Sequence, residues 1–218
     1  MIGLLVGATT AFLVAIIGTR VAIRILVAKG YGQLIRDDGP TAHHVKRGTP
    51  TMGGTVIMIA VVAGYVAAHL VQLSPPSASG VLVLFLMTGL GMVGFIDDYI
   101  KISRQRSLGL RSAAKFGGQS LVAVVFALLA LQFPDERGLT PASTAISFIR
   151  DTPVVLPVAL FIVWALLIIA GTSNGVNLTD GLDGLATGAT IATAGAFTLI
   201  GVWQFGQSCA TNAGPQCY

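Results

Sequence analysis

Six stretches of this chain are apolar enough, over enough residues, to cross a lipid bilayer, and that property excludes most folds at once. A membrane helix needs about 20 predominantly apolar residues. Stretches of this kind run over residues 2–25, 52–73, 80–96, 113–133, 153–170 and 182–205. In hydrocarbon each backbone N–H and C=O must find its partner within the segment, so stretches like these predict helices. The expected fold is an all-α, polytopic membrane protein, with residues 1–218 as one membrane domain of six spans. Composition leads to the same place. Hydrophobic residues make up 54% of the chain and charged residues 10%, against about 25% charged in an ordinary soluble domain. That excludes a soluble enzyme, a disordered chain and a nucleic-acid binder, and no nucleic-acid partner is expected.

The basic residues orient the spans. Arg20, Arg24, Lys29, Arg36, Lys46 and Arg47 lie in or beside the loop after the first span. Lys101, Arg104, Arg106, Arg111 and Lys115 lie in or beside the loop after the third. Arg137 and Arg150 alone fall on the opposite side. Positive charge is retained in the cytoplasm, so loops 26–51, 97–112 and 171–181 are cytoplasmic and both termini lie outside. The first span is not read as a cleaved signal peptide: it lacks a basic start and its apolar run exceeds the usual 7–15 residues or so. Cys209 and Cys217 fall in the external tail, where a local disulfide is permitted and two free thiols are the alternative.

No Asp, Glu, Lys or Arg lies deep within a span, and His69, near the outer end of the second, reads as an interfacial or packed histidine. The acidic and polar residues collect instead in the cytoplasmic loops. In Phe95-Ile96-Asp97-Asp98-Tyr99-Ile100-Lys101, a helix continuing past the membrane would bring both acids to the lysine, at i,i+4 and i,i+3. Two carboxylates are hard oxygen ligands suited to Mg²⁺, and one can act as a base. The plainer alternative is a solvated helix end held by a salt bridge. In the third cytoplasmic loop Asn174, Asn177, Asp180 and Asp183 recur every three residues among glycines. An N-cap for the sixth helix explains one or two of them, not four. In the first loop, Lys46, Arg47, Thr49 and Thr51 can bind anionic oxygens, although topology alone explains the two cations. Arg104, Arg106, Arg111 and Lys115 suit phosphates or anionic lipid headgroups. Together the loops suggest Mg²⁺-assisted chemistry on a phosphorylated substrate at the bilayer surface.

Three motifs carry a resemblance. The run His43 to Gly54, with Lys46-Arg47-Gly48-Thr49-Pro50-Thr51-Met52-Gly53-Gly54, closely resembles the first cytoplasmic loop of the phospho-N-acetylmuramoyl-pentapeptide transferase family. Asp97-Asp98-Tyr99-Ile100-Lys101 is similar to the Asp-Asp-x-x-Lys motif of its superfamily, and residues 174–184 resemble the Asn-Leu-Thr-Asp-Gly-Leu-Asp-Gly motif. The resemblance implies a Mg²⁺-dependent phosphoglycosyl transferase of the bacterial cytoplasmic membrane, with its active face in the cytoplasm. Such an enzyme couples UDP-N-acetylmuramoyl-pentapeptide to undecaprenyl phosphate, giving lipid I and UMP in peptidoglycan synthesis. It implies Asp97 as base or orienting group for the lipid phosphate, with Asp98 and Lys101 supporting metal and phosphates. Lys46 and Thr51 would border the nucleotide site, and Lys115 would contact phosphate. Asn174, Asn177, Asp180 and Asp183 would hold nucleotide and diphosphate, with Asp98 and Asp180 as metal ligands. Membrane lipids and a homodimer are further family-level expectations.

The family resembles a ten-span protein, whereas this chain stops after six. The expectation is an N-terminal portion that lacks a later metal-binding Asp and a His-rich loop, and that has little or no transferase activity alone. Two rival readings are a UDP-N-acetylglucosamine-1-phosphate transferase of the same superfamily and a non-catalytic transporter or lipid-binding membrane protein. The Thr49–Gly54 run disfavours the first, and the absence of charge within the spans disfavours the second.

Overall fold

Apolar stretches that cannot leave a backbone group unpaired in lipid become helices, and six of them do so here. The computed structural model describes residues 2–32, 49–105, 108–135, 138–147, 151–180, 182 and 184–207. Its helices are α1 (Ile2–Ala28), α2 (Gly54–Gln72), α3 (Ala78–Ser103), α4 (Ser112–Ala130), α5 (Val158–Thr179) and α6 (Leu185–Gly206). All six are long and apolar enough to cross a membrane. Large apolar side chains such as Leu5, Phe12, Leu121 and Phe197 are exposed along them, as lipid-facing surfaces require. Residues Met1–Ala170 and Gly171–Tyr218 form two compact units, and α5 begins in the first and ends in the second.

Helix ends follow local chemistry. Gly30 takes a left-handed φ of 69°. There Tyr31 N–H donates to the Leu26 carbonyl and Gly30 N–H to that of Val27, the paired bonds of a Schellman stop. α1 therefore runs one turn beyond the expected end at Ile25, carrying Arg20 and Arg24 on its exposed surface. After α2, Leu73 is left-handed and Pro75 and Pro76 forbid continuation. His69 closes this end: its Nδ1 lies 3.1 Å from the Ser74 carbonyl and its ring packs at 4.5 Å on Tyr65. It is a packed histidine, as expected. Ser77 then caps α3, accepting from Gly80 N–H at 3.2 Å.

Lipid offers no hydrophobic force to press helices together, so close packing relies on small residues. Within the first unit, Gly3 and Gly7 of α1 and Ala60 and Gly64 of α2 are buried. A methyl group on Gly64 would lie 2.6 Å from the Gly7 carbonyl oxygen and 2.8 Å from Ala11 Cβ. The two backbones nearly touch, and the pairings Gly3 with Gln72 and Gly18 with Val56 make the pair antiparallel. α3 and α4 interlock reciprocally, Gly89 of α3 facing Val122 and Gly118 of α4 facing Val93. Gln119, Ala123, Ala127 and Ala130 form the buried stripe of α4.

One expectation is corrected. The fifth span was expected from Pro153, but residues Asp151–Val155 form a strand, β2, paired antiparallel with β1 (Ala145–Ser147). β-Branched Thr152, Val154 and Val155 favour extended backbone, and Pro153 is tolerated because this strand lies at an edge. α5 starts only at Val158, just after Pro157, and continues through Thr179 into what was expected to be loop. The fold is otherwise all-α.

At 1.5 Å per residue, the part of α3 from Ala78 to Ile96 spans about 28 Å, close to the roughly 30 Å hydrocarbon thickness. The Asp97–Ser103 end of α3 therefore projects beyond it.

Candidate active site

The reciprocal Gly–Val contacts between α3 and α4 place the chemistry. One turn past Val93 along α3 comes Asp97, and about one turn before Gly118 along α4 comes Lys115. The projecting end of α3 presents both acids to one lysine. Lys101 Nζ lies 2.7 Å from Asp97 Oδ2 and 3.0 Å from Asp98 Oδ1, the i,i+4 and i,i+3 spacings read from the sequence. Lys115 adds a favourable charge interaction with Asp97.

The two carboxylates are not equivalent. Asp97 is 8% exposed, and its second oxygen, Oδ1, accepts the Leu110 backbone N–H at 2.7 Å. Asp98 is half-exposed, with Lys101 against its Oδ1. The picture of a solvated helix end held by a salt bridge is thus half right. The bridge is present, but Asp97 is buried and anchored from a second segment.

That segment is what the sequence reading missed. The α3 helix ends with Arg104 and a left-handed Gln105 (φ 49°). The chain then returns through Leu108, Gly109 and Leu110 to Arg111, the N-cap residue of α4. Gly109 rests directly on Asp97: a methyl group there would sit 2.6 Å from the Asp97 carbonyl oxygen and nearer still to Oδ1. The available signal was a lone glycine between two leucines, in the loop joining an acidic pair to a cationic helix start.

Thr51 precedes α2, and its hydroxyl is buried with no hydrogen-bond partner among the described residues. Beside it Met52 adopts φ 71°, a costly conformation for a residue with a side chain. Gly32 and Pro50 pair as an antiparallel bridge, pinning together the two ends of the loop between α1 and α2. Lys46, Arg47, His43 and His44 lie outside the described residues, as do Asp183, Arg106, Cys209 and Cys217.

In the second unit, Asn174 and Asn177 lie on the last turns of α5. Asp180 continues the helical hydrogen bonding through its N–H to the Val176 carbonyl at 3.2 Å. Asn177 and Asp180 are exposed and Asn174 half-exposed. None of them caps α6, whose N-cap is Gly184 at φ 83° with no side-chain bond. Among the described residues of the repeat, a cap of α6 is therefore not the explanation.

Among the described residues no group of three or more His, Cys, Asp or Glu converges. Mg²⁺ does not need such a cage: it is commonly held by one or two carboxylates together with waters and substrate phosphates. Asp98, with hard oxygens at a half-exposed position, fits that donor set. An apolar groove of about 630 Å³, bordered by Phe126, Ile146, Phe161 and Trp164, lies toward the other end of α4. Its lining carries no ionisable group, so the acidic pair, not this groove, is the candidate for chemistry.

Comparison with known proteins converges on the same segments. The model of glycosyl transferase family 4 matches residues 80–213. A phospho-N-acetylmuramoyl-pentapeptide-transferase signature matches residues 46–58. The chain is 57% identical over 234 residues to the phospho-N-acetylmuramoyl-pentapeptide-transferase of Pseudarthrobacter chlorophenolicus, covering 100% of this chain and 63% of that protein. The protein of the same name from Paenarthrobacter aurescens is 56% identical with the same coverage. That of Cutibacterium acnes is 54% identical over 221 residues, covering 100% of this chain and 62% of the relative. The chain thus spans less than two thirds of the length of these relatives.

Proposed function

Since the chain belongs to glycosyl transferase family 4, we propose that it serves the transfer of phospho-N-acetylmuramoyl-pentapeptide from its UDP derivative to undecaprenyl phosphate at the cytoplasmic face of a bacterial inner membrane. The observation that carries this reading is the Asp97–Asp98–Lys101 cluster at the projecting end of α3, with the Lys115 charge favouring the Asp97 carboxylate. The relatives that bear this activity in their names support it.

In the proposed reaction, an oxygen of the lipid phosphate forms a bond to the phosphorus that carries the sugar. The bond from that phosphorus to the oxygen bridging to uridine monophosphate breaks, and UMP leaves with that oxygen and the electron pair. Such transfers depend chiefly on positioning and charge stabilisation. Asp97 orients the lipid phosphate and accepts its proton. Each carboxylate oxygen has two lone-pair directions, so the bonds from Leu110 and Lys101 leave one on each oxygen. Lys101 and Lys115 offset phosphate charge. Asp98 would hold Mg²⁺, which when bound neutralises the diphosphate. Thr51, whose buried hydroxyl has no partner among the described residues, and Lys46 border the nucleotide. Asn174, Asn177, Asp180 and Asp183 are assigned to nucleotide and diphosphate recognition, and Asp180 also to metal.

The test is UMP release by membranes from cells producing the protein, supplied with undecaprenyl phosphate and Mg²⁺. This chain alone is expected to release little or no UMP; joined to the part of the Pseudarthrobacter chlorophenolicus relative that it does not cover, it is expected to release it from UDP-N-acetylmuramoyl-pentapeptide, and Asp97→Asn to abolish that release. Release from UDP-N-acetylglucosamine instead would favour the related superfamily activity, and equal release by Asp97→Asn would remove Asp97 from the chemistry.

A further inference from the structure

A carboxylate that accepts a proton in a phosphoryl transfer must point in one direction, and α3 alone does not fix the direction of Asp97. Lys101 holds Oδ2, but it is also engaged by Asp98 and is itself partly exposed. The rigid constraint comes from thirteen residues further along the chain, where the Leu110 N–H binds Oδ1 at 2.7 Å. That bond requires the backbone of residues 108–110 to lie against Asp97, and only a residue without a side chain allows it. A methyl group at Gly109 would sit 2.6 Å from the Asp97 carbonyl oxygen and 2.8 Å from its carboxyl carbon, inside any distance that real Cβ atoms keep. Gly109 has no left-handed φ to explain its presence. The close approach explains it.

We infer that the 108–110 segment is a strap that aims the Asp97 carboxylate, with Gly109 as the positioning residue. With one lone pair of Oδ1 taken by Leu110 and one of Oδ2 by Lys101, the remaining lone pairs are set in direction. The strap also leads straight into Arg111 and, one turn later, Lys115. It therefore joins the acid's anchor in sequence to the start of the helix that carries Lys115, whose charge favours the Asp97 carboxylate. The inference rests on the reading of Asp97 as proton acceptor, but the strap itself can be tested without any activity.

The first measurement is hydrogen exchange on the unaltered protein in lipid nanodiscs. The Leu110 amide, bonded to a buried carboxylate, is expected to exchange at least 10-fold more slowly than the Leu108 amide beside it. Equal rates would overturn the strap. The second is carboxyl footprinting by mass spectrometry on Gly109→Ala. Labelling of Asp97 is expected to rise several-fold while that of Asp98 stays within twofold. The control is Gly94→Ala, where a methyl group meets nothing within 4 Å. Unchanged Asp97 labelling in a folded Gly109→Ala protein would also overturn the inference, and if that variant does not fold the exchange measurement decides alone. The third is UMP release. Misplacing a reacting group by about 1 Å can cost about 100-fold in rate, so Gly109→Ala should lower kcat by that order with KM for both substrates within twofold. A raised KM at unchanged kcat would mean that Gly109 shapes binding, not the aim of Asp97. UMP release is read on the protein joined to the uncovered part of the relative; if none forms there even without a substitution, the transferase reading fails, while exchange and footprinting still judge the strap.

Discussion

The inequality of the two acids can be measured as two coupling energies. Lys101 bridges Asp97 at 2.7 Å and Asp98 at 3.0 Å, so distance alone predicts similar couplings. Burial predicts otherwise. The Asp98 and Lys101 side chains are both 36% exposed, and exposed pairs contribute about 0.2–1 kcal/mol. The Asp97 side chain is 11% exposed, and breaking a fully buried pair costs about 3–5 kcal/mol. With one partner buried and the other partly wet, the Asp97–Lys101 coupling should fall between these limits, at about 1.5 kcal/mol, against about 0.5 kcal/mol for Asp98–Lys101. The perturbations are Asp97→Asn, Asp98→Asn and Lys101→Met, singly and in the two doubles that include Lys101. The assay is equilibrium unfolding in mixed micelles of increasing dodecyl sulfate fraction, followed by helical circular dichroism. Two double-mutant cycles then yield the couplings with the single-residue effects cancelled. Equal couplings, or a larger one for Asp98, would refute the claim that burial separates the two carboxylates.

Three further outcomes are expected. Gly64→Val should destabilise the protein by about 1–3 kcal/mol, as overpacking does, because its side chain would meet the Gly7 backbone; an unchanged midpoint in the same titration would contradict the seam. Asp98→Asn should raise the Mg²⁺ concentration needed for half-maximal UMP release by at least about 10-fold, as loss of a ligand or its support does, and an unmoved Mg²⁺ curve would take Asp98 out of the metal site. With Cys209 and Cys217 replaced by Ser, an impermeant maleimide on intact cells should label Leu139→Cys and spare Ser103→Cys, both exposed positions; the opposite pattern would invert the topology.

What the sequence made legible was whatever depends on short-range pattern. Apolar runs announced six helices. The spacing of Asp97, Asp98 and Lys101 announced their ion pairs. Two features were hidden for different reasons. The Asp151–Val155 strand runs into an apolar sequence, and a short apolar run does not distinguish strand from helix. The burial of Asp97 depends on a contact with Gly109 and Leu110. No periodicity within α3 encodes that contact, because it arises from how a loop folds back. The polar repeat at 174, 177, 180 and 183 was seen as a pattern. That Asn174 and Asn177 lie on the last turns of α5, with Asp180 just after it, needed the helix boundaries themselves.

The length of α3 has a mechanical consequence. Its apolar portion is fixed at one end by the Ser77 cap and, at about 28 Å, matches the hydrocarbon it crosses, so Asp97 stands at the edge of the oil. Bilayers differ by several ångströms in thickness, and helices answer such mismatch by tilting or by deforming the lipid around them. A thicker bilayer would draw the acidic pair below the plane of the lipid headgroups, and a thinner one would lift it above. The helix acts as a gauge rod that sets the acids against the plane of the lipid headgroups, and the lipid composition of the host determines how well that level is kept.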